Sequence, residues 1–164
     1  GGAGCNMAET IMRVATAHWI KDATYLFADS DAERLSELTA KGFETLKLQS
    51  DSESFPTDKL KGVEKLYILA GLGGYTGSRF AEIAAKSVRS AGACNVALIV
   101  TLPFAFEGRG KTAKAKEALK SLSEYPVMTL NNEELIERHP DINFINAFEY
   151  SDKEALNAIE SGRI

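Results

Sequence analysis

Cysteine, proline and histidine are scarce in this chain: its 164 residues include two cysteines, four prolines and two histidines. Cys5, in a glycine-rich stretch, and Cys94, ahead of an apolar run, are too few for a disulfide scaffold and point to a reducing compartment. His18 and His139 lie far apart and offer no metal-ligand spacing; His139, before Pro140, is expected in an exposed turn. No apolar run approaches the ~18 residues of a membrane span and no signal peptide is visible, so a cytoplasmic protein without a membrane span is expected. An excess of positive charge is also missing. The net charge of -4 and pI near 5.3 argue against a nucleic-acid surface, and Lys111, Lys114, Lys116 and Lys120 read as the solvated side of a helix.

What is present is a regular alternation of apolar runs and amphipathic segments. At 45% hydrophobic content the chain can bury one sizeable core. The residues from Asn6 to Ile20 have helical spacing, with Asn6 as N-cap, Glu9 completing a capping box, and His18 and Trp19 as a cap-region histidine and a packing residue. "ATYLFA" (Ala23–Ala28) reads as a strand and "SDAERLSELTAKG" as a helix capped by Ser30 and stopped by Gly42. "FETLKLQ" alternates like a strand, and the polar stretch Ser50–Lys59 is a loop. "KLYILA" (Lys65–Ala70) is a strand, followed by glycines and a helix from about Thr76 to Ala91. "NVALIVTLPF" is a strand buried on both faces, Lys111–Ser123 a helix, "PVMTL" a strand, "NNEELIER" a capped turn and Ile142–Ile159 a last helix. Unbroken apolar strands alternating with helices predict an α/β fold, a Rossmann-like three-layer sandwich with a mostly parallel sheet, as one domain over residues 1–164.

In such folds ligands bind at the carboxyl ends of the strands. Three segments fall there: Gly1–Asn6, Asp29–Asp31 and Gly71–Arg79. Glycine-rich turns that open helices expose backbone N–H groups beside the positive end of the helix dipole, an arrangement suited to phosphate. "GGAGCN" approximates the dinucleotide-binding glycine pattern, with Asp29 where an acid would take ribose hydroxyls, so an oxidoreductase's dinucleotide domain is one reading. Met7, however, takes the place of the pattern's last glycine, and a second glycine loop is left unexplained. The first loop also opens at residue 1 without a preceding strand, as if an edge of the fold were missing or the domain abbreviated.

Both loops fit another family. "AGLGGYTGSR" resembles the G-G-G-T-G-[ST]-G signature of FtsZ, the bacterial relative of tubulin, and "VTLPFAFEGR" is similar to its V-T-x-P-F-x-F-E-G-x segment. "MTLNNEEL", "INFINAFEYSD", "GGAGCN" and "FADSDAERL" are similar, in family order, to further segments. The resemblance implies the FtsZ/tubulin N-terminal nucleotide-binding fold, a cell-division or cytoskeletal setting, and GTP or GDP as ligand, with Mg2+ beside the phosphates, or no nucleotide where the site is degenerate. Gly2, Ala3, Gly4 and Cys5 would bring backbone to the phosphates, with Asn6 by the guanine or ribose and Asp29 on the ribose side. Gly71, Gly73, Gly74, Tyr75, Thr76, Gly77 and Ser78 would form the phosphate loop. Pro103, Glu107 and Arg109 would shape the ribose side, and Asn132, Phe148 and Asp152 would hold guanine.

Three departures bear on function. Tyr75 and Arg79 stand where the signature has glycine. A tyrosine there either fills space a phosphate needs or points outward, with Arg79 lending a charge. The Ser50–Glu64 segment is short where the family has a long loop that senses the terminal phosphate. The family's catalytic acidic loop and C-terminal activation domain have no counterpart in these residues, so weak or no hydrolysis is expected of this chain alone. Self-association or an FtsZ-like partner is implied. The competing reading is a nucleotide-free module that docks on an FtsZ-like filament, and it predicts an exposed apolar patch.

Overall fold

The computed structural model describes residues 1–92 and 94–164. In chain order the elements are α1 (Gly2–Val14), α2 (His18–Lys21), β1 (Leu26–Asp29), α3 (Ala32–Ala40), β2 (Glu44–Lys47), β3 (Lys65–Gly71), α4 (Tyr75–Ser90), β4 (Asn95–Thr101), α5 (Arg109–Ser121), β5 (Val127–Leu130), α6 (Asn132–Arg138) and α7 (Ala147–Glu160). Every strand pairing is parallel.

The middle strand explains the layering. From Val96 to Thr101 every residue of β4 is buried, so alternate side chains feed two separate cores. Leu98 and Val100 pack with Ala81, Ala85 and Val88 of α4 and Ala115 and Ala118 of α5. Ile99 packs on the opposite face with Met7 and Ile11 of α1 and Ala155, Leu156 and Ile159 of α7. The result is helix, parallel sheet, helix: the α/β three-layer arrangement that the apolar runs predict.

The strands nevertheless form two sheets, β1–β2 and β3–β4–β5. Between β1 and β3 lies a cavity of about 560 Å³ lined by Cys5, Ala8, Leu26, Ile68, Phe80 and neighbours. A third core of Cys5, Phe27 and Leu38 joins α1 to the smaller sheet.

Several element boundaries differ from the sequence reading. The expected helix from Asn6 starts at Gly2, so "GGAGCN" is the first turns of α1 and not a loop before it. Asn6 and Glu9 form no capping box: the Asn6 Oδ1 accepts a 2.7 Å hydrogen bond from the Arg34 guanidinium, and Glu9 pairs with Arg34 and Lys41, each at 2.7 Å. The helix breaks after Val14, where Ala15 and Ala17 take extended backbone, so Trp19 sits on the short α2 and is exposed. The cap of α3 is Asp31, not Ser30; its carboxylate accepts from the N–H groups of Glu33 and Arg34. Helix α7 begins at Ala147 because Asn143 and Asn146 knit a turn of side-chain to backbone bonds ahead of it. Cys94 is half-buried.

Candidate nucleotide site

The carboxyl ends of β1, β3 and β4 and the amino ends of α1 and α4 meet at one edge of the domain, and glycine is what lets them meet. A Cβ on Gly4 would lie 2.1 Å from the Leu69 carbonyl oxygen, and one on Gly77 would lie 1.9 Å from that of Gly71. Those two positions press α1 and α4 directly onto the backbone of β3. A Cβ on Gly71 would come within 2.6 Å of the Ala3 Cβ, so the first turn of α1 rests against the end of β3. Gly73 needs its lack of side chain twice over: its φ is +98°, and Pro103 would stand 2.9 Å from a Cβ there. Two helix N-termini therefore converge, and no side chain caps either one. Their first-turn N–H groups lack the i−4 acceptors that the rest of each helix provides, which leaves donors and dipole aimed at a common space.

The hydroxyls around this space have other partners. Ser78 Oγ accepts the Gly73 N–H at 2.8 Å and Thr76 Oγ1 lies 2.8 Å from Ser30 Oγ. Asp29 is buried and its Oδ1 accepts from the N–H groups of Ser30 (2.8 Å) and Asp31 (3.3 Å). It holds the β1–α3 turn, so the role expected of it toward a ribose would compete with that duty. Tyr75 is exposed and its hydroxyl donates to the Ser50 carbonyl at 3.2 Å, while Arg79 Nη2 donates to the Ser52 carbonyl at 3.0 Å. Both side chains are thus directed at the 50–52 segment.

At the other end of the strand order stand the residues expected around a base. Asn132 is buried; its Oδ1 accepts from Ser151 Oγ, and its Nδ2 is buried without a hydrogen-bond partner. Phe148 is half exposed and meets the buried Phe104 edge-on at 6.0 Å. Asp152, one helical turn beyond Phe148, is buried against α1. Burial pushes its carboxyl above the usual range, opposed by a hydrogen bond from Thr10 and the charge of Arg13. Glu107 turns back to accept the Phe104 N–H at 2.7 Å and pairs with Lys111 at 3.2 Å. It closes its own turn, and Arg109 is exposed at the start of α5. Neither reaches the converging helix ends through a hydrogen bond.

The raised Asp152 pKa fixes the sign of a pH effect. The folded state disfavours the carboxylate, so stability is greatest below the unfolded pKa and falls as pH rises through the folded one. Asp152→Asn is expected to raise the thermal midpoint at pH 7, with the gain shrinking toward zero near pH 3. Parallel melts of the two proteins across that range check it.

Arg34 was not anticipated. It binds Asn6 and Glu9 from 28 and 25 residues away and Glu37 on its own helix. Only the spacing to Glu37 is visible in the sequence.

A parallel α/β domain with two glycine-lined helix starts at the strand ends is the architecture of a phosphate-binding fold. No family model matches the chain. Among curated proteins it is 30% identical over 183 residues to cell division protein FtsZ 1 of Pyrococcus furiosus, covering 98% of this chain and 47% of that protein. It is 29% identical over 171 residues to FtsZ of Mycoplasmopsis pulmonis, covering 93% and 43%. Among solved structures it is similar to the FtsZ dimer of M. jannaschii, with a TM-score of 0.71 at 23% identity over 97% of this chain and 51% of that one. It is also similar to the GTPγS-bound CetZ2 protofilament of Haloferax volcanii, with a TM-score of 0.69 at 17% identity over 97% and 54%. The chain is an FtsZ/tubulin-like domain, and it spans about half the length of the curated relatives it matches. The bacterial origin suggested by the motif resemblance is not supported, because the Pyrococcus and Haloferax relatives are archaeal.

Proposed function

We propose that this domain binds a guanine nucleotide, GTP or GDP, in a cell-division or cytoskeletal setting, with weak or no hydrolysis by the chain itself. The observation that carries the reading is the convergence of the uncapped α1 and α4 N-termini, held together by glycines whose Cβ atoms would strike backbone. Gly2, Ala3 and Gly4 offer N–H groups from one side and Tyr75, Thr76 and Gly77 from the other. Mg2+ would add positive charge among the phosphates. Asn132 supplies a buried amide donor in need of an acceptor, and the exposed half of Phe148 supplies a stacking surface. Weak hydrolysis accords with Asp29, the buried acid at the strand ends, being committed to backbone N–H groups and thus poorly placed as a base for water. The GTPγS-bound protofilament and the FtsZ dimer favour self-association as the setting.

A second reading has its own observation. Phe106, Phe144 and Ile145 are 70%, 56% and 91% exposed, and the rings of Phe106, Phe144 and Phe148 all pack on Phe104, an apolar ledge that a monomer seldom leaves bare. A nucleotide-free module that docks on an FtsZ-like filament would use such a ledge.

Thermal unfolding with excess GDP, GTP, ADP and NAD separates the readings. A guanine nucleotide at about a hundred times its dissociation constant should add roughly 2.7 kcal/mol, and Asn132→Ala should remove most of that gain. A shift with NAD alone would indicate a dinucleotide site instead. No shift with any nucleotide, and no 260 nm absorbance in the purified protein, leaves the docking module.

A further inference from the structure

We infer that the cavity between β1 and β3 is a seat for one further β-strand supplied in trans, an extended apolar peptide of about five residues that runs parallel to both and joins the two sheets. The two edges face each other: Leu26–Ala28 line one wall of the cavity and Leu66–Ala70 the other. They also run the same way. The start of α1 meets the carboxyl end of each, because the Gly1 nitrogen donates to the Ala28 carbonyl at 2.6 Å and Gly4 packs on the Leu69 carbonyl. That contact bounds the seat at its upper end.

Backbone direction is what points to a peptide. Successive residues of a strand turn their N–H and C=O groups to opposite sides. The Asp29 carbonyl accepts from Leu48, on the β2 side, and the Leu72 N–H donates to Thr101, on the β4 side. Leu26 and Ala28 of β1 and Tyr67 and Leu69 of β3 therefore turn their backbone groups to the cavity. Among the described residues, the N–H groups of all four and the carbonyls of Leu26 and Tyr67 have no hydrogen-bond partner there. A strand between the edges pairs both ladders at once, whereas a lipid of the same volume would leave them unpaired in an apolar space. The walls set the composition of the strand. Cys5, Ala8 and Ile11 of α1 stand on one side and Phe80, Ala81 and Ala84 of α4 on the other, so the occupant needs an unbroken apolar run, as β4 has. Burial agrees: β4 is buried from Val96 to Thr101, while Leu66, Ile68 and Leu69 of the adjacent β3 and Leu26 of β1 are half-buried.

Hydrogen exchange of the purified protein, followed amide by amide by NMR, tests this with a synthetic peptide of five alternating valines and isoleucines between flanking lysines. The peptide is expected to slow exchange at least roughly tenfold at Leu26, Ala28, Tyr67 and Leu69. Emission from Trp19, which lines the cavity and is 56% exposed, should change at the same peptide concentration. A control peptide with proline at the second and fourth apolar positions keeps its apolarity but cannot donate there, and should protect none of the four amides. Absence of protection by the first peptide overturns the inference, as does protection confined to the outer edges at β2 and β5. Equal protection by the proline peptide or by a long-chain fatty acid also overturns it, because the cavity would then take apolar matter without pairing it.

Discussion

Gly77→Ala is expected to lower the unfolding free energy by about 3 kcal/mol, at the upper end of overpacking costs, and to abolish any nucleotide-dependent stabilisation. The added Cβ would sit 1.9 Å from the Gly71 carbonyl oxygen and 3.3 Å from the Gly71 amide nitrogen. Both are backbone atoms at the end of a paired strand, so no side-chain rotation relieves the clash. Helix α4 must back away from β3. Its inner face, Phe80, Ala81, Ala84, Ala85 and Val88, is buried, so the retreat loosens the core as well as the site. Gly74→Ala is the control: no atom lies within 4 Å of its Cβ position and its φ is −80°, so the change should be within about 0.5 kcal/mol. Urea denaturation of the three proteins gives the comparison. Similar stability for Gly77→Ala and Gly74→Ala would contradict the close approach of helix to strand.

Phe27→Ala should cost about 3–5 kcal/mol, the usual range for a buried phenylalanine, but the loss should be unevenly distributed. Phe27 is 2% exposed and stacks on Phe43 with ring centroids 4.7 Å apart. Among the described residues, the core it belongs to contains only Cys5 and Leu38 as further buried residues. The amides of β1 and β2 are therefore expected to lose hydrogen-exchange protection in the variant, while those of β3, β4 and β5 keep most of theirs. Uniform loss across all five strands would show that the two sheets unfold as one.

The large features of this fold are legible in the sequence because they rest on long-period patterns. The run Val96–Val100 announces a strand covered on both faces, and the glycine stop at Gly42 coincides with a positive φ of +87°. The start of α1 was not legible. Its first three residues, Gly2, Ala3 and Gly4, are glycine or alanine, which reads as a loop, and what packs them so closely is a strand backbone 65 residues away that leaves no room for a side chain at Gly4. The caps failed for a related reason. Asn6 and Glu9 have the right spacing for a capping box, but Arg34 and Lys41 of α3 offer them charge, and charge-assisted bonds are the stronger ones. In the candidate site, the glycines were legible from spacing, whereas the duties of Asp29, Ser78 and Glu107 toward nearby backbone were not. Such short-range bonds depend on the exact turn geometry that a sequence does not display. Tyr75 was ambiguous in the sequence because its partner is a carbonyl in a segment of no regular structure.

The space between β1 and β3 has one more consequence. The smaller sheet is joined to the rest of the domain through the Cys5, Phe27 and Leu38 core and by ties around its margin, Ser30 with Thr76, Arg34 and Lys41 with Glu9, and those from Tyr75 and Arg79. Between β1 and β3 the boundary is the cavity, so the two sheets touch each other through little apolar contact of their own and a small rotation about the α1 core is the accessible motion. A ligand touching Asp29 and Ser30 on one rim and Gly73 to Gly77 on the other would act as a crossbar, converting two semi-independent bodies into one. Occupancy would then be read out as the angle between the sheets.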